Sequence, residues 1–292
     1  MSQFVVGNIT MIFENKIYDE ERALYGLDGA EVKNCTFAGP ADGESALKEC
    51  RNIKVEDCLF ELRYPFWHVD GASVENATMT STCRAALWYD SGISIKNSKL
   101  HGIKALRECR EVILDGCDID SEEFGWRSAD VTIKNTTLNS MYPFFECRGM
   151  NIDNLTMTGK YSFQYIENVE IRNSHFKTKD AFWHAKNVTV YDSVVEGEYL
   201  GWYSESLKLV RCHIKGTQPL CYCKGLILED CTMEGCDLSF ERSEVEANVK
   251  GSIDSVKNPI SGFVEADEIG EEIWDDFIKD KSSCTVRVRS TK

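Results

Sequence analysis

PFFECRG (143–149), SFQYIEN (162–168), AFWHAKN (181–187) and LGWYSES (200–206) are variants of one seven-residue block, and each begins 19 residues after the one before it. From residue 86 to residue 238, nine consecutive blocks are separated by eight spacings of 19 residues without one exception. A repeat this regular indicates a repeat architecture. Equivalent blocks are ALYGLDG (23–29), ALKECRN (46–52), PFWHVDG (65–71), ALWYDSG (86–92), ALRECRE (105–111), FGWRSAD (124–130), PLCYCKG (219–225) and LSFERSE (238–244).

A second block follows each of these, and it alternates apolar and polar residues before a corner residue. Examples are ISIKNSKL (93–100), VTIKNTTL (131–138) and VTVYDSVV (188–195). Alternation with β-branched residues predicts short strands that bury one face. The Asn or Asp that follows the alternating pair tolerates the left-handed conformation and predicts a turn there.

The period predicts an all-β solenoid. Nineteen residues accommodate about three short strands and three corners but no crossover helix, so successive coils must stack strand on strand. We therefore expect a right-handed single-stranded parallel β-helix of about 12 coils. A left-handed β-helix favours hexapeptide periods, and leucine-rich repeats place Asn differently. Neither alternative fits the pattern.

The two ends differ from the repeat. Residues 1–22 alternate in part and predict an N-terminal strand cap, residues 23–252 form the predicted β-helix, and residues 253–292 form an acidic C-terminal cap and tail. Within that tail, residues 266–280 place Ile269, Ile273 and Phe277 at helical spacing with acidic residues opposite. This spacing predicts an amphipathic helix as the C-terminal cap.

Thirteen cysteines follow the repeat register. Nine of them share two columns with Ser, Ala, Thr, Val and Ile, which indicates that they act as small buried residues. The number is odd and the chain is long for a disulfide scaffold, so we expect no obligate disulfide.

Composition restricts the partners. Lys and Arg number 33 and Asp and Glu number 48, so the net charge is −15, which disfavours nucleic acid and anionic membranes as ligands. The N-terminus lacks a basic segment before an apolar stretch, so we expect a cytoplasmic protein. No apolar run reaches the length of a membrane span. The oligomeric state is not predicted.

One column of the repeat collects tryptophans. The third position of the block holds Trp67, Trp88, Trp126, Trp183 and Trp202, and the same column contains Lys48 and Arg107. A core seldom contains charged residues without partners. We therefore expect this column to be partly exposed and to form a strip of aromatic rings and charges that is suited to sugars or other flat polar ligands. Rings that merely cover the flank of the solenoid, with charges that pair among themselves, are the structural alternative.

The strip is densest in the N-terminal half, where we expect the functional residues. Glu49, Glu108 and His68 are the candidate acid and base groups. The candidate binding residues are Glu44, Lys48, Arg63, Trp67, Arg84, Trp88, Tyr89, Lys104, Arg107, Trp126 and Arg127. His175 and His213 lie two coils apart, too far for one metal ion, and no phosphate-binding or dinucleotide motif is present. We predict neither a metal nor a cofactor.

The motifs ERALY, DGESALKE, RYPFWH, RAALWY, GIKALRE and FGWR resemble a bacterial family known only as a domain of unknown function. The coil pattern is similar to that of the pectate-lyase-like superfamily. This resemblance implies the right-handed β-helix and offers no activity. The chain departs from active members such as the polygalacturonases, because the N-T-D, D-D, G-H-G and R-I-K motifs of those enzymes have no counterpart at matching places.

Three function classes stay open. The first is a binding module for a carbohydrate or an anionic metabolite on the strip. The second is a carbohydrate-active enzyme, either a glycoside hydrolase or a lyase, that uses the paired Glu and Arg or Lys residues. The third is a structural or interaction scaffold.

Overall fold

The computed structural model describes residues 11–39, 44–276 and 278–290. Two stacks of parallel strands account for most of the fold. The longer strands form one stack, which we call the long sheet. Its strands are Met11–Glu14, Ala30–Lys33, Arg51–Glu56, Asp70–Glu75, Ser91–Lys96, Arg110–Asp115, Ala129–Met141, Asn151–Lys160, Glu167–Arg172, Lys186–Tyr191, Glu205–Val210, Leu226–Glu234, Glu244–Lys250, Ser261–Ala266 and Cys284–Val288.

The shorter strands form the second stack, which we call the short sheet. They are Ile17–Tyr18, Thr36–Phe37, Leu59–Phe60, Thr78–Met79, Lys99–His101, Asp118–Asp120, His175–Lys177, Val194–Glu196 and His213–Lys215. The long strands that begin at residues 129, 151 and 226 bend and take part in both stacks. The remaining elements are the corner strands Phe66–Trp67, Leu87–Trp88 and Leu106–Arg107, the strand pair Ser252–Lys257 and Glu268–Ile273, and the short 3-10 helix Lys281–Ser283.

The register between coils is the 19-residue period. Ile133 pairs with Ile152 and Leu138 with Met157, and each pair lies in one of the apolar columns expected from the sequence. These four side chains are buried. The right-handed parallel β-helix is confirmed, with about 14 turns.

The corners depend on left-handed backbone. Among the described residues, 46 residues other than glycine have a positive φ, and they recur at the same positions of the repeat. Asn135 and Asn154 occupy one such corner, and the Asn154 side-chain amide donates to Asn135 Oδ1 at 2.9 Å. Asn tolerates this conformation better than most residues, which explains its choice at the corner.

Small polar side chains satisfy the backbone inside the coils. Ser174 Oγ donates to the Arg172 carbonyl at 2.7 Å and accepts the Leu155 N–H at 3.1 Å, one coil earlier. Cys58 takes the same place, because its thiol donates to the Glu56 carbonyl and lies 3.5 Å from the Cys35 N–H. All thirteen cysteines are free and buried, as a role in packing requires.

The predicted C-terminal helix is wrong. Glu268–Ile273 is a strand that pairs in parallel with Ser252–Lys257, and Ile269 lies beside Ile253. Gly270 disfavours a helix and allows close stacking, since a Cβ at this residue would lie 2.5 Å from the Asp254 carbonyl oxygen. The long sheet continues to Cys284–Val288, beyond the expected end of the solenoid at residue 252.

At the other end, Met11–Glu14 pairs in parallel with Ala30–Lys33, so it forms the first described strand of the stack. Residues 1–10 of the predicted N-terminal strand cap lie outside the described residues, and so does Phe277. No described segment forms a helix with the length and apolar character needed to cross a bilayer.

The block LSFERSE (238–244) places Phe240 at the third position, in the tryptophan column, and the structure corrects this assignment. Phe240 is fully buried, and its N–H bonds to the Pro219 carbonyl just as the Leu220 N–H bonds to the Leu200 carbonyl. Phe240 is therefore equivalent to Leu220, at the second block position and not in the tryptophan column. The two residues are 20 apart (240 − 220), so this coil contains one extra residue.

Asp90 is a buried exception among the small residues that point inward at the fifth block position. Its Oδ1 accepts the Val69 N–H at 2.8 Å, whereas its Oδ2 is buried without a hydrogen-bond partner among the described residues. Loss of solvation on burial raises the pKa of this carboxyl group well above its ordinary value. Ser128 satisfies the equivalent N–H of Cys109 with a hydroxyl group and no charge.

We predict that the free energy of unfolding of the Asp90→Ser variant, relative to that of the parent, increases as the pH rises above about 4, the pH at which Asp90 ionises in the unfolded chain. The native state binds the proton more tightly, so the free energy of unfolding of the parent protein falls with rising pH, by up to about 1.4 kcal/mol per pH unit. Denaturant unfolding of both proteins at pH 4.5, 6 and 7.5 measures this difference. A difference that stays constant with pH would contradict the prediction.

Burial also raises the pKa of most thiols, to about 12 for Cys147 and to about 11 for Cys58. We predict that the melting temperature is the same with and without reductant, because no disulfide connects the coils. A disulfide would contribute about 2–4 kcal/mol. A clear fall in melting temperature on reduction would show that a disulfide does connect the coils and would contradict the prediction.

Candidate functional site

The third and fourth block positions form a two-layer aromatic plate in the N-terminal half. Trp67 stacks on Trp88 with ring centroids 5.6 Å apart, and His68 stacks on Tyr89 at 5.2 Å. Within each layer the neighbouring rings are almost parallel, at 20° for Trp67 and His68 and 18° for Trp88 and Tyr89. The left-handed backbone at His68 and Tyr89 directs these side chains outward beside the tryptophans.

Ion pairs from the adjacent coils flank the plate. Lys48 Nζ lies 4.1 Å from the centroid of the Trp67 ring and 3.8 Å from Glu49. In the coil after Trp88, the guanidinium of Arg107 lies 3.4 Å from Glu108. The structure therefore brings most of the predicted residues into one stack. Its interior ring faces are covered, and mainly ring edges remain for a ligand.

Apart from Arg84, the other predicted cations also have partners. Arg63 pairs with Glu44 at 3.0 Å, and Lys104 pairs with Glu123 at 3.2 Å. Arg127 pairs with Glu146 at 2.8 Å, and Arg107 also donates to Glu123. Arg84 is exposed and forms no ion pair with a described residue. The charges of the strip thus pair largely among themselves, which was the structural alternative.

The predicted catalytic residues do not form a carboxylate pair. Glu49 and Glu108 are three coils apart, about 14 Å along the axis, with His68 and Tyr89 between them. The Tyr25 hydroxyl donates to Glu49 at 2.6 Å, and this bond lowers the pKa of Glu49. Glu49 is therefore a poor general acid. At the other end, Tyr89 hydrogen-bonds to Glu108, which raises the pKa of the Tyr89 hydroxyl.

An open cleft of about 670 Å³ lies beside the plate on the first coils. Gly26 takes the fourth block position in the first coil, and nothing lies within 4 Å of where its Cβ would be. The missing side chain leaves room between the fourth and sixth block positions. The residues that line the cleft are Gly26, Leu27, Asp28, Glu49, Arg51, His68 and Asp70.

Most polar groups of the cleft are held in place. Asn52 donates to Asp28 at 3.0 Å, and Ser91 donates to Asp70 at 3.2 Å. Arg51 forms no ion pair within the described part of the chain. Asp28, Arg51 and Asp70 were not among the predicted site residues. The sequence feature that could have identified them is the sixth block position, where the sign of the charge changes from one coil to the next.

Two histidines of the short sheet form ion pairs with glutamates. His175 lies 3.2 Å from Glu196, and His213 lies 3.3 Å from Glu234. Across residues 11–39, 44–276 and 278–290, no three His, Cys, Asp or Glu side chains are arranged to bind a metal ion.

A second aromatic ladder lies in the C-terminal half, which the sequence analysis did not favour. Tyr165, His184, Tyr203 and Tyr222 stack in consecutive coils, with centroids 4.9, 5.1 and 4.9 Å apart. Trp183 and Trp202 stack beside them at 5.6 Å. Both halves of the solenoid therefore carry exposed ring edges on one face.

A family profile described as a protein of unknown function, DUF3737, matches residues 11–287. The chain belongs to the DUF3737 family. No curated protein sequence matches this DUF3737 chain.

Several solved structures are similar in fold. A surface adhesin of Streptococcus pneumoniae, PfbA, has 9% identity and a TM-score of 0.44, with 82% of this chain and 84% of that chain covered. The A-module of the Azotobacter vinelandii mannuronan C-5 epimerase AlgE4 has 11% identity and a TM-score of 0.33, with 94% of this chain and 87% of that chain covered. The catalytic domain of a GH87 alpha-1,3-glucanase has 12% identity and a TM-score of 0.33, with 92% of this chain and 64% of that chain covered.

The tryptophans of this DUF3737 chain differ in how their indole N–H groups are satisfied. Trp126, Trp183 and Trp202 each donate to a backbone carbonyl 16 residues later, at 2.6–2.7 Å. Trp67 Nε1 is buried and has no acceptor among the described residues.

We predict that Trp183→Phe destabilises the protein by about 1–2 kcal/mol more than Trp67→Phe. The first change removes the hydrogen bond to the Tyr199 carbonyl, whereas the second removes a donor that has no acceptor among the described residues. Denaturant unfolding of the two variants provides the comparison. Equal losses would show that Trp67 Nε1 has a partner in solution.

Proposed function

We propose that this DUF3737 chain is a binding module that holds a neutral saccharide in the cleft on its first coils. The observation that carries the proposal is the open cleft between Gly26 and Asp70, which combines fixed carboxylates, an Arg that forms no ion pair with a described residue, and the exposed His68.

The chemistry of the cleft suits a ligand rich in hydroxyl groups. Asp28, Glu49 and Asp70 offer acceptors to hydroxyl donors, and Arg51 offers donors to hydroxyl or ring oxygens. Hydrogen bonds that involve an ionised partner are the stronger ones, so a few such contacts give useful affinity and orientation. The aromatic plate ends at this cleft with His68, whose ring is stacked on Tyr89.

Charge favours a neutral ligand over the anionic metabolite that the sequence left open. Three carboxylates and one Arg line the cleft, and the whole chain has a net charge of −15. An anion would meet a negative potential on approach. The cations expected to bind it, such as Lys48 and Arg107, are engaged by neighbouring glutamates.

Catalysis by the predicted pair Glu49 and Glu108 is disfavoured for a geometric reason. A retaining glycosidase needs its two carboxyl groups about 5 Å apart, and an inverting one needs them about 6.5–9.5 Å apart. Glu49 and Glu108 are about 14 Å apart along the axis, and each is hydrogen-bonded to a tyrosine.

Titration with a panel of neutral and acidic oligosaccharides tests the proposal. Tryptophan fluorescence is a suitable readout, because Trp67 contacts His68 at the cleft. We predict that a neutral oligosaccharide binds, and that His68→Ala and Asp70→Asn each weaken the binding about tenfold or more, the loss of one charged hydrogen bond.

His184→Ala is the matched control. His184 occupies the same block position and stacks between Tyr165 and Tyr203, but it lies far from the cleft. It should leave the affinity unchanged. Failure of every oligosaccharide to bind, or an equal loss in the His184 variant, would contradict the proposal, and release of new products from the panel would favour the enzyme.

A further inference from the structure

The aromatic face of the C-terminal half has no role in the proposed binding site. Tyr165 and Tyr203 are 50% and 43% exposed, although both belong to a tightly stacked ladder. Because the rings stack along the solenoid axis, their faces cover one another and their hydroxyl-bearing edges point to solvent. Exposed tyrosines with an apolar body and a polar tip are enriched at protein interfaces.

A row of charges runs beside this ladder at the sixth block position, and its sign alternates from coil to coil. Backbone pairing places neighbouring members in register. The row consists of Arg148, Glu167, Lys186, Glu205, Lys224 and Glu244. Three positive and three negative side chains give a net charge of zero (3 − 3), on a chain whose net charge is −15.

We propose that a second copy of this chain docks antiparallel on the face formed by the ladder and the charge row. A two-fold axis between the coils of Lys186 and Glu205 places each charge opposite its complement. Lys186 then meets Glu205 of the second copy, and Glu167 meets Lys224 of the second copy. Arg148 and Glu244 complete the pairing in the same way.

The same axis relates the aromatic residues. It exchanges Trp183 with Trp202 and Tyr165 with Tyr222, so rings meet rings across the interface. An alternating row of even length is complementary to itself in the antiparallel orientation, and for this reason a second copy is favoured over an unrelated partner. Association through a locally neutral face also avoids the repulsion that the rest of this acidic chain would produce. The cleft near Gly26 lies on other coils and remains open.

Sedimentation of the full chain over a wide concentration range tests this proposal, with charge reversals at Glu167 and Lys224. These two residues are three coils apart, about 14 Å within one chain, so they can pair with each other only between copies. Within its own chain, Lys224 lies 3.7 Å from Glu205. We predict a dimer for the parent protein. Glu167→Lys and Lys224→Glu should each raise the dimer dissociation constant about tenfold, because two repulsive contacts replace two attractive ones.

The decisive step is to mix the two variants. A chain with Glu167→Lys and a chain with Lys224→Glu are complementary to each other, so the mixture should form heterodimers with nearly the parent affinity. A folding defect cannot produce this rescue. Lys134→Glu reverses an exposed charge on another face and should leave the dimer unchanged.

A monomeric parent protein at every concentration would overturn the proposal. If neither charge reversal changes the dissociation constant of the dimer, or if the mixture does not regain the parent affinity, the copies associate through another surface. Oligosaccharide affinity of the variants should stay at the parent level, so this test is independent of the proposed saccharide site.

Discussion

Hydrogen bonds between one coil and the next, in a register of 19 residues, determine everything else in this structure. The left-handed corners turn backbone N–H and C=O groups along the axis, where the neighbouring coils satisfy them. Buried backbone groups cannot remain unpaired without a large cost, so the register is tightly constrained. Side chains at equivalent positions are therefore placed about 4.8 Å apart, and each column is a one-dimensional stack.

This stacking decides what the surface can do. Rings in one column cover the faces of their neighbours, as in the ladder from Tyr165 to Tyr222, and charges in adjacent coils pair, as Arg127 does with Glu146. A regular stretch of the solenoid is therefore largely saturated by its own contacts. We propose that binding capacity arises where a column is interrupted, as it is at Gly26 beside the cleft, and where a whole face is complementary to a copy of itself.

The period contained enough information to predict the fold, the apolar columns and the placement of the cysteines, because each is a direct consequence of the register. The C-terminal helix was predicted wrongly, since Ile269 and Ile273 fit helical spacing and a buried strand of an irregular coil equally well. Phe240 was placed in the wrong column because one added residue lengthens its coil. The partners of Lys48 and Arg107 depend on side-chain directions that column membership does not specify. The cleft was missed because it results from an absent side chain.

Deletion of a single coil tests the register most directly. Removing residues 150–168 joins Gly149 to Val169 and takes out 19 residues, so every later column stays aligned. Because each coil contacts only its neighbours, this variant should unfold cooperatively, with a β-rich circular dichroism spectrum like that of the parent. Removing residues 150–167 leaves one extra residue and turns the inward side chains of the following strand outward. The account predicts that the 19-residue deletion folds and that the 18-residue deletion is strongly destabilised. Equal stability of the two variants, measured by denaturant unfolding, would contradict it.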